Sequence, residues 1–306
     1  MLQVKAWRGA KMASLKALIK RNIKCYLRVK SNIFYSLLSV IIIVGLYLLF
    51  MSKSYTDSME SVLQQFGAVN YQWLSDSIML SGLIPVLSIT VSLVVMGIIV
   101  EDKQNKISMD FMVAPISRNI WMLSYLFASL IICLVASLGF IIFSDVYLFI
   151  VSGYALSFVQ LIKILGITLL GLLFANIFML FLISFAKNTS VVGAMGTIIG
   201  TLQGFISGCY MPLGMFPEGL RYVLYSLPFA QMSSLIRGVY VENASQVMNF
   251  SNEGILAYKE ISQFYGIELM YENWSMPSWL MIISVAAFTL VFASIAAYRF
   301  IKMKNK

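Results

Sequence analysis

The sequence predicts an all-α polytopic membrane protein, with six transmembrane helices, an N-terminal amphipathic interfacial helix, a re-entrant helical hairpin before the last span and both termini cytoplasmic. Three observations lead there. Hydrophobic residues make up 60% of the chain and charged residues only 11%, more apolar surface than a soluble domain can hide within itself. Six apolar runs are long enough to cross a hydrocarbon core about 30 Å thick, which takes roughly 20 helical residues. Lysine and arginine collect in the segments those runs place on one side, and acidic residues collect on the other.

Residues 1–32 form the lead-in. They carry nine Lys and Arg and no sustained apolar core, so nothing there reads as a cleavable signal and the start is expected to stay cytoplasmic. Within them Met12, Leu15, Ile19, Ile23 and Tyr26 recur at steps of three or four, while Lys20, Arg21, Lys24 and Arg28 gather on the other side. Such a basic amphipathic helix lies in the membrane interface, where anionic lipids favour its cations. It serves equally as an anchor for the first span or as a contact for a partner.

The spans follow at about 33–51, 78–100, 120–143, 160–186, 190–207 and 279–300, with a short tail at 301–306. Residues 208–240 are apolar enough to suggest a seventh crossing, but Pro212, Pro217 and Pro228 break any single helix there. Glu218, Arg221 and Arg237 would each cost about 2.5–3.5 kcal/mol in hydrocarbon. The segment therefore reads as a hairpin, with Glu218 and Arg221 spaced to pair on one helical face. Residues 241–277 are polar and net acidic, long enough for one short helix outside the membrane. With six spans, seventeen Lys and Arg fall inside and five outside, which satisfies the positive-inside rule.

Several classes of chemistry are excluded by composition. The chain has no histidine, which removes Ser-His triads, His-ligated zinc and histidine proton relays. Cys25, Cys133 and Cys209 are too scattered for a disulfide framework or metal cluster. Neither G-x-x-x-x-G-K-[ST] nor G-x-G-x-x-G occurs, so no P-loop holds ATP here. The chain is expected to be no enzyme, with no cofactor or metal of its own and no nucleic-acid partner. Asp145 and Lys163 fall near the outer ends of their spans and the span centres are uncharged, which argues against an ion-coupled carrier, since that class needs a buried carboxylate.

The segment EDKQNKISMDFMVAPISRN, residues 101–119, is longer and more structured than a bare connection requires. Ile107, Met109, Phe111, Met112 and Val113 are apolar, while Glu101, Asp102, Lys103, Lys106 and Asp110 are charged, and Pro115 closes the run. That pattern describes one or two helical turns lying flat, a docking surface for a partner or a plain interfacial elbow. In the fifth span Gly196, Gly200, Gly204 and Gly208 fall every four residues, as in close helix packing. Ser88, Thr90, Thr197, Thr201 and Gln203 are the candidate lining of a pathway, although hydroxyls in spans often bond their own backbone.

A glutamate ending the second span, a short helix, then Pro115, Ser117 and Arg118, together with the six-span plan, the basic lead-in and the Gly/Pro-rich hairpin, resemble the ATP-binding-cassette type-2 export permeases. The resemblance covers nearly the whole chain. It implies that residues 101–119 hold a coupling helix that docks in a groove of a separate ATPase subunit, present in two copies and carrying the ATP and magnesium. Glu101, Asp102, Asp110, Phe111, Pro115, Ser117 and Arg118 are then the transmission residues. Family members often have glycine before this helix, where this chain has Asn105, a residue that tolerates left-handed angles. The hairpin, with Pro212, Pro217, Glu218, Arg221 and Pro228, becomes the outer gate.

Together these readings predict the permease subunit of a bacterial exporter of drugs, peptide antibiotics or lipid-like molecules in the plasma membrane, paired with itself or a similar permease. The alternatives are an ion-coupled secondary carrier and a non-transporting immunity or sensor protein acting through residues 241–277.

Overall fold

The computed structural model describes residues 2–109, 117–249, 251 and 254–302, of which 2–11, 39, 118 and 300–302 are described by their backbone alone. Among the described residues six helices are long and apolar enough to cross a membrane, and the only sheet is a two-stranded hairpin. The protein is an all-α multi-pass membrane protein, as its composition predicts.

Helix α1 covers Leu2–Arg28. Its inward stripe is Leu18, Asn22 and Tyr26, at steps of four. The amphipathic face expected from the sequence is thus rotated: Met12 stands 60% exposed, and Arg21 turns inward to a carboxylate. Val29 is extended and separates α1 from α2, Lys30–Leu46. A π-helical segment, Tyr47–Met51, carries the same rod on into α3, Ser52–Leu63, so the helical run continues to Phe66.

Helix α4, Tyr71–Gln104, is the axis of the fold. Its 34 residues span about 51 Å at 1.5 Å per residue. It is apolar on every side, which marks a helix surrounded by others, and α2, α3 and the helices Arg118–Ser152, Phe158–Ile183, Thr189–Ile206 and Pro228–Tyr240 all pack on it. Helix α5, Arg118–Ser152, starts after extended Ser117 and stops at Gly153, whose φ of 76° ends the helix in a left-handed turn. Helix α6, Phe158–Ile183, opens with a reciprocal capping box between Ser157 and Gln160. Asn176 of α6 accepts from the Ser92 hydroxyl of α4 at 3.1 Å, a polar tie between two spans. Helix α7, Thr189–Ile206, is capped by the Asn188 side chain and is mostly exposed. Helix α12, Ser278–Lys302, packs on α6 and on the helix Pro228–Tyr240.

Between α7 and α12 the prolines start helices. Pro212 precedes a single 3-10 turn, Pro217 precedes α8, Glu218–Tyr225, and Pro228 is the first residue of α9, Pro228–Tyr240. A helix's first turn has no use for the missing N–H, so proline fits there. Helix α9 is buried against α4, α6 and α12. Residues 241–277 hold more than the one helix expected: α10, Ala244–Met248, α11, Gly254–Phe264, and the hairpin of β1, Met270–Tyr271, with β2, Trp274–Ser275.

Two charge expectations are corrected. Glu218 takes the hydroxyl of Tyr222, four residues on, in place of Arg221, whose guanidinium stands 5.8 Å over the Tyr222 ring. The second span also starts earlier than residue 78, so Asp76 lies inside α4 with no exposed surface, and Arg237 of α9 is likewise fully buried. The bundle does hold buried ionisable groups, at the end that carries the hairpin.

Candidate functional site

The end of α4 opposite the hairpin gathers three other helices. Asp102, 3% exposed, sits in the last turn. Arg21 of α1 donates to it through both terminal nitrogens, Nη2 reaching Oδ1 at 2.7 Å, and the Tyr125 hydroxyl of α5 donates to Oδ2. Arg21 Nη1, the nitrogen that bonds Oδ2, lies 3.3 Å from the Tyr125 oxygen, closing a triangle. Beside it Asn22 donates to the Ser124 hydroxyl at 3.1 Å, and the Trp121 ring stands edge-on to Tyr125 at 5.4 Å. The hydrogen bond to Asp102, with its negative charge, holds the Arg21 guanidinium protonated well above its ordinary range, although partial burial works against it.

Two residues further on, Gln104 Oε1 accepts from both the backbone N–H and the hydroxyl of Thr189, each at 3.1 Å, which fastens the first residue of α7 to the end of α4. One helical turn of α4 is therefore bonded to α1, α5 and α7 at once.

That chain is the predicted coupling loop. Glu101 is exposed, Asn105 ends α4 with its N–H still on the Glu101 carbonyl at 2.9 Å, and residues 107–109 turn helical again. The left-handed residue of the turn is Lys106, at φ 61°, and Asn105 keeps φ −81°. Asn105 tolerates the left-handed conformation but does not adopt it. The register of the helix end decides this, because Asn105 is still bonded into the last turn and the reversal falls one residue later. Ser117 is exposed, and its carbonyl starts α5 by accepting from Ile120 and Trp121. Arg118 is the first residue of α5. Asp110, Phe111 and Pro115 lie outside the described residues.

The candidate lining residues divide. Ser88 and Gln203 are buried, and Ser88 bonds the Ile84 carbonyl at 2.8 Å. Thr90 bonds the carbonyls of Val86 and Leu87 in its own helix and that of Ser36 in α2. The cleft beside Ser88, between α4, α6 and α9, holds about 10 Å³, room for one water. Thr197 and Thr201 are exposed on α7. The glycines are not one packing face either. A Cβ on Gly196 would lie 2.8 Å from Leu93 of α4, and one on Gly204 would lie 2.2 Å from the Tyr210 ring, whereas Gly200 has nothing within 4 Å. Gly208 lies beyond the helix, in a turn with φ 69°.

At the hairpin end Asp76 collects hydroxyls. Tyr47, the first residue of the π segment, reaches Oδ1 at 2.8 Å, Ser52 reaches it at 3.4 Å, and Tyr147 of α5 reaches Oδ2 at 3.3 Å. A π turn rotates the residues after it relative to those before, a device frequent at functional sites.

Sequence reasoning picked out Asp102 but not Arg21, Tyr125, Gln104 or Asp76. One signal was present for Arg21: Asn22, a polar residue inside the apolar stripe of α1, indicates that this face meets polar groups. A family model described as ABC-2 type transporter matches residues 13–241, from the middle of α1 to just past the end of α9. No curated protein matches the chain.

Proposed function

The chain belongs to the ABC-2 type transporter family, and from that premise we propose that it is the permease of an ATP-driven exporter whose coupling loop acts through Asp102. A separate ATPase subunit, two copies to a pair of permeases, binds ATP and magnesium and closes on them. Residues 105–116 ride on that ATPase, and the Arg21–Asp102–Tyr125 triangle passes their displacement to α1, α4 and α5 together. The observation that carries this reading is the position of the triangle, within one turn of the start of the coupling loop. Glu101, Asp110, Phe111, Pro115, Ser117 and Arg118 supply the docking surface in this account.

The pathway runs between two permease chains and opens alternately to the two sides. Among the described residues most of α4 is buried and the cleft beside Ser88 has room for about one water, which favours a conduit at the exposed faces, where α7 presents Gly200, Thr197 and Thr201. Such a surface suits amphipathic cargo held by apolar contact, such as drugs, peptide antibiotics or lipid-like molecules. Both termini are cytoplasmic, in the plasma membrane of a bacterium, and the hairpin closes the outer end.

Affinity purification from native membranes tests the proposal, with a soluble ATPase expected to accompany the permease. Reversing the charge at Asp110 is expected to uncouple ATP hydrolysis from transport while leaving membrane insertion intact. A permease that purifies without an ATPase and transports without ATP would overturn it.

One observation favours a second reading. Asp76 is a buried carboxylate of the kind an ion-coupled carrier uses. Under that reading the chain alone, in proteoliposomes, transports in response to a pH or sodium gradient, and Asp76→Asn abolishes it.

A further inference from the structure

Arg237 is among the largest fully buried side chains of the protein. Among the described residues it makes no ion pair with a carboxylate. Its partners are three backbone carbonyls from three separate segments: Nε donates to Ile78 of α4 at 3.1 Å, Nη1 to Tyr265 after α11 at 3.1 Å, and Nη2 to Gly208 after α7 at 3.0 Å.

The socket is shaped by missing side chains. A Cβ on Gly82 would lie 2.6 Å from Nη2, one on Gly208 3.0 Å from Nη1, and one on Gly266 3.4 Å from Nη1. Gly208 and Gly266 also sit at φ 69° and 70°, where other residues are strained. The Gly208 carbonyl stands just past the last turn of α7, the negative end of that helix, which favours a cation.

Static stability accounts for only part of the arrangement. The guanidinium supplies donors to the Tyr265 and Gly208 carbonyls, but three carbonyls only partly replace its hydration. What arginine adds is a fork with five donors that joins three bodies in one step and, once water reaches it, prefers water.

We propose that Arg237 is a positioning residue of the transport cycle, the pin that keeps the outer end of the permease shut by tying α9 to α4, to the end of α7 and to the segment after α11. Release of the pin frees the hairpin from α4 and lets water reach the socket. The inference rests on the permease reading for its meaning in transport, but the joint itself does not require it. Cys209 reports on the joint. It is 1% exposed, and a Cβ on Gly82 would lie 2.9 Å from its thiol as well as against the guanidinium.

The test labels Cys209 of the full chain in native membranes with an impermeant maleimide from the outer side, in a Cys25→Ser, Cys133→Ala background. Without nucleotide the parent is expected to label slowly. Arg237→Met, which keeps volume and removes all donors, and Gly82→Ala, which keeps the charge but displaces Nη2, are each expected to label at least tenfold faster. Arg237→Lys, with three donors and no planar fork, is expected to fall between. A merely structural role predicts normal protection in every variant that runs as a folded species on size exclusion.

Slow labelling of folded Arg237→Met overturns the proposal. If that variant does not accumulate, slow labelling of Gly82→Ala overturns it, and if neither accumulates the residue is structural and the proposal fails. These resting measurements are made without nucleotide and do not depend on ATP hydrolysis. Failure of the permease reading shows separately, as a purified chain with no ATPase bound.

Discussion

Arg21 and Arg237 are anchored to opposite ends of α4, and they are held by opposite means. Arg21 keeps 28% of its side-chain exposure and meets a carboxylate, Asp102. Arg237 has no exposure and, among the described residues, hydrogen-bonds only to carbonyls. From Ile78 to Asp102 the two anchorages lie about 36 Å apart along one helix. A charge pair at the edge of water tolerates small movements, because Coulomb attraction falls off slowly and water can fill a gap. A carbonyl clamp in a dry socket does not, because each bond is short-ranged and no net charge draws the arginine back. Under the proposed transport cycle, the comparison teaches a division of labour along α4: one end would stay attached while it moves, the other would hold or let go.

The largest effect is expected from breaking the attached end. Asp102→Asn removes the charge that Arg21 and Tyr125 share. A buried pair that loses one partner costs roughly 3–5 kcal/mol, and the partial exposure of Arg21 reduces that to about 2–3 kcal/mol. Transport in inverted vesicles is expected to fall at least tenfold, with the protein still inserted. The double variant Arg21→Met, Asp102→Asn is expected to recover thermal stability without recovering transport. Recovery of both would mean that the triangle is only packing.

A smaller effect tests the hairpin end without touching its arginine. Gly204→Ala sets a Cβ about 2.2 Å from the Tyr210 ring, and relief of that overlap moves the turn that carries Cys209. The cost is about 1–3 kcal/mol, seen as a lower midpoint of thermal unfolding. Gly200→Ala, four residues away with nothing within 4 Å, is expected to leave the isolated chain's stability unchanged or raised by about 0.5–1 kcal/mol. Impaired transport in that variant would identify its face as the surface toward a second permease chain.

Much of the fold was legible because helices in lipid must satisfy their own backbone, so each span announces itself as an uninterrupted apolar run. The ties between spans were not. Arg21 bonds a residue 81 positions away, and apart from the polar neighbour Asn22 no local pattern distinguishes it from Lys20 or Lys24. The partners of Arg237 are backbone carbonyls, which leave no mark in the side chains except the glycines that make room for them. Asp76 was hidden by counting the second span from the first unbroken apolar residue, when the helix begins at Tyr71. The spacing of Gly196, Gly200, Gly204 and Gly208 suggested one face, and the helix ends at Ile206 before the last of them.

The smallest effect sharpens the comparison at the coupling end. Lys106 adopts φ 61° directly after the turn that carries Asp102 and Gln104, and a left-handed lysine costs about 1 kcal/mol relative to glycine. Lys106→Gly relieves that strain but also loosens the unfolded chain, so the net change in stability is expected to be within about 0.5 kcal/mol of zero. Its effect on coupling is expected to be larger than its effect on stability. If the turn passes force from the loop to Asp102, a more flexible residue there lowers the cargo moved per ATP hydrolysed, while hydrolysis continues. Equal ratios in parent and variant would show that the force enters α4 elsewhere, through Gln104 and Thr189 at the start of α7, and would move the working contact from the loop to the fifth span.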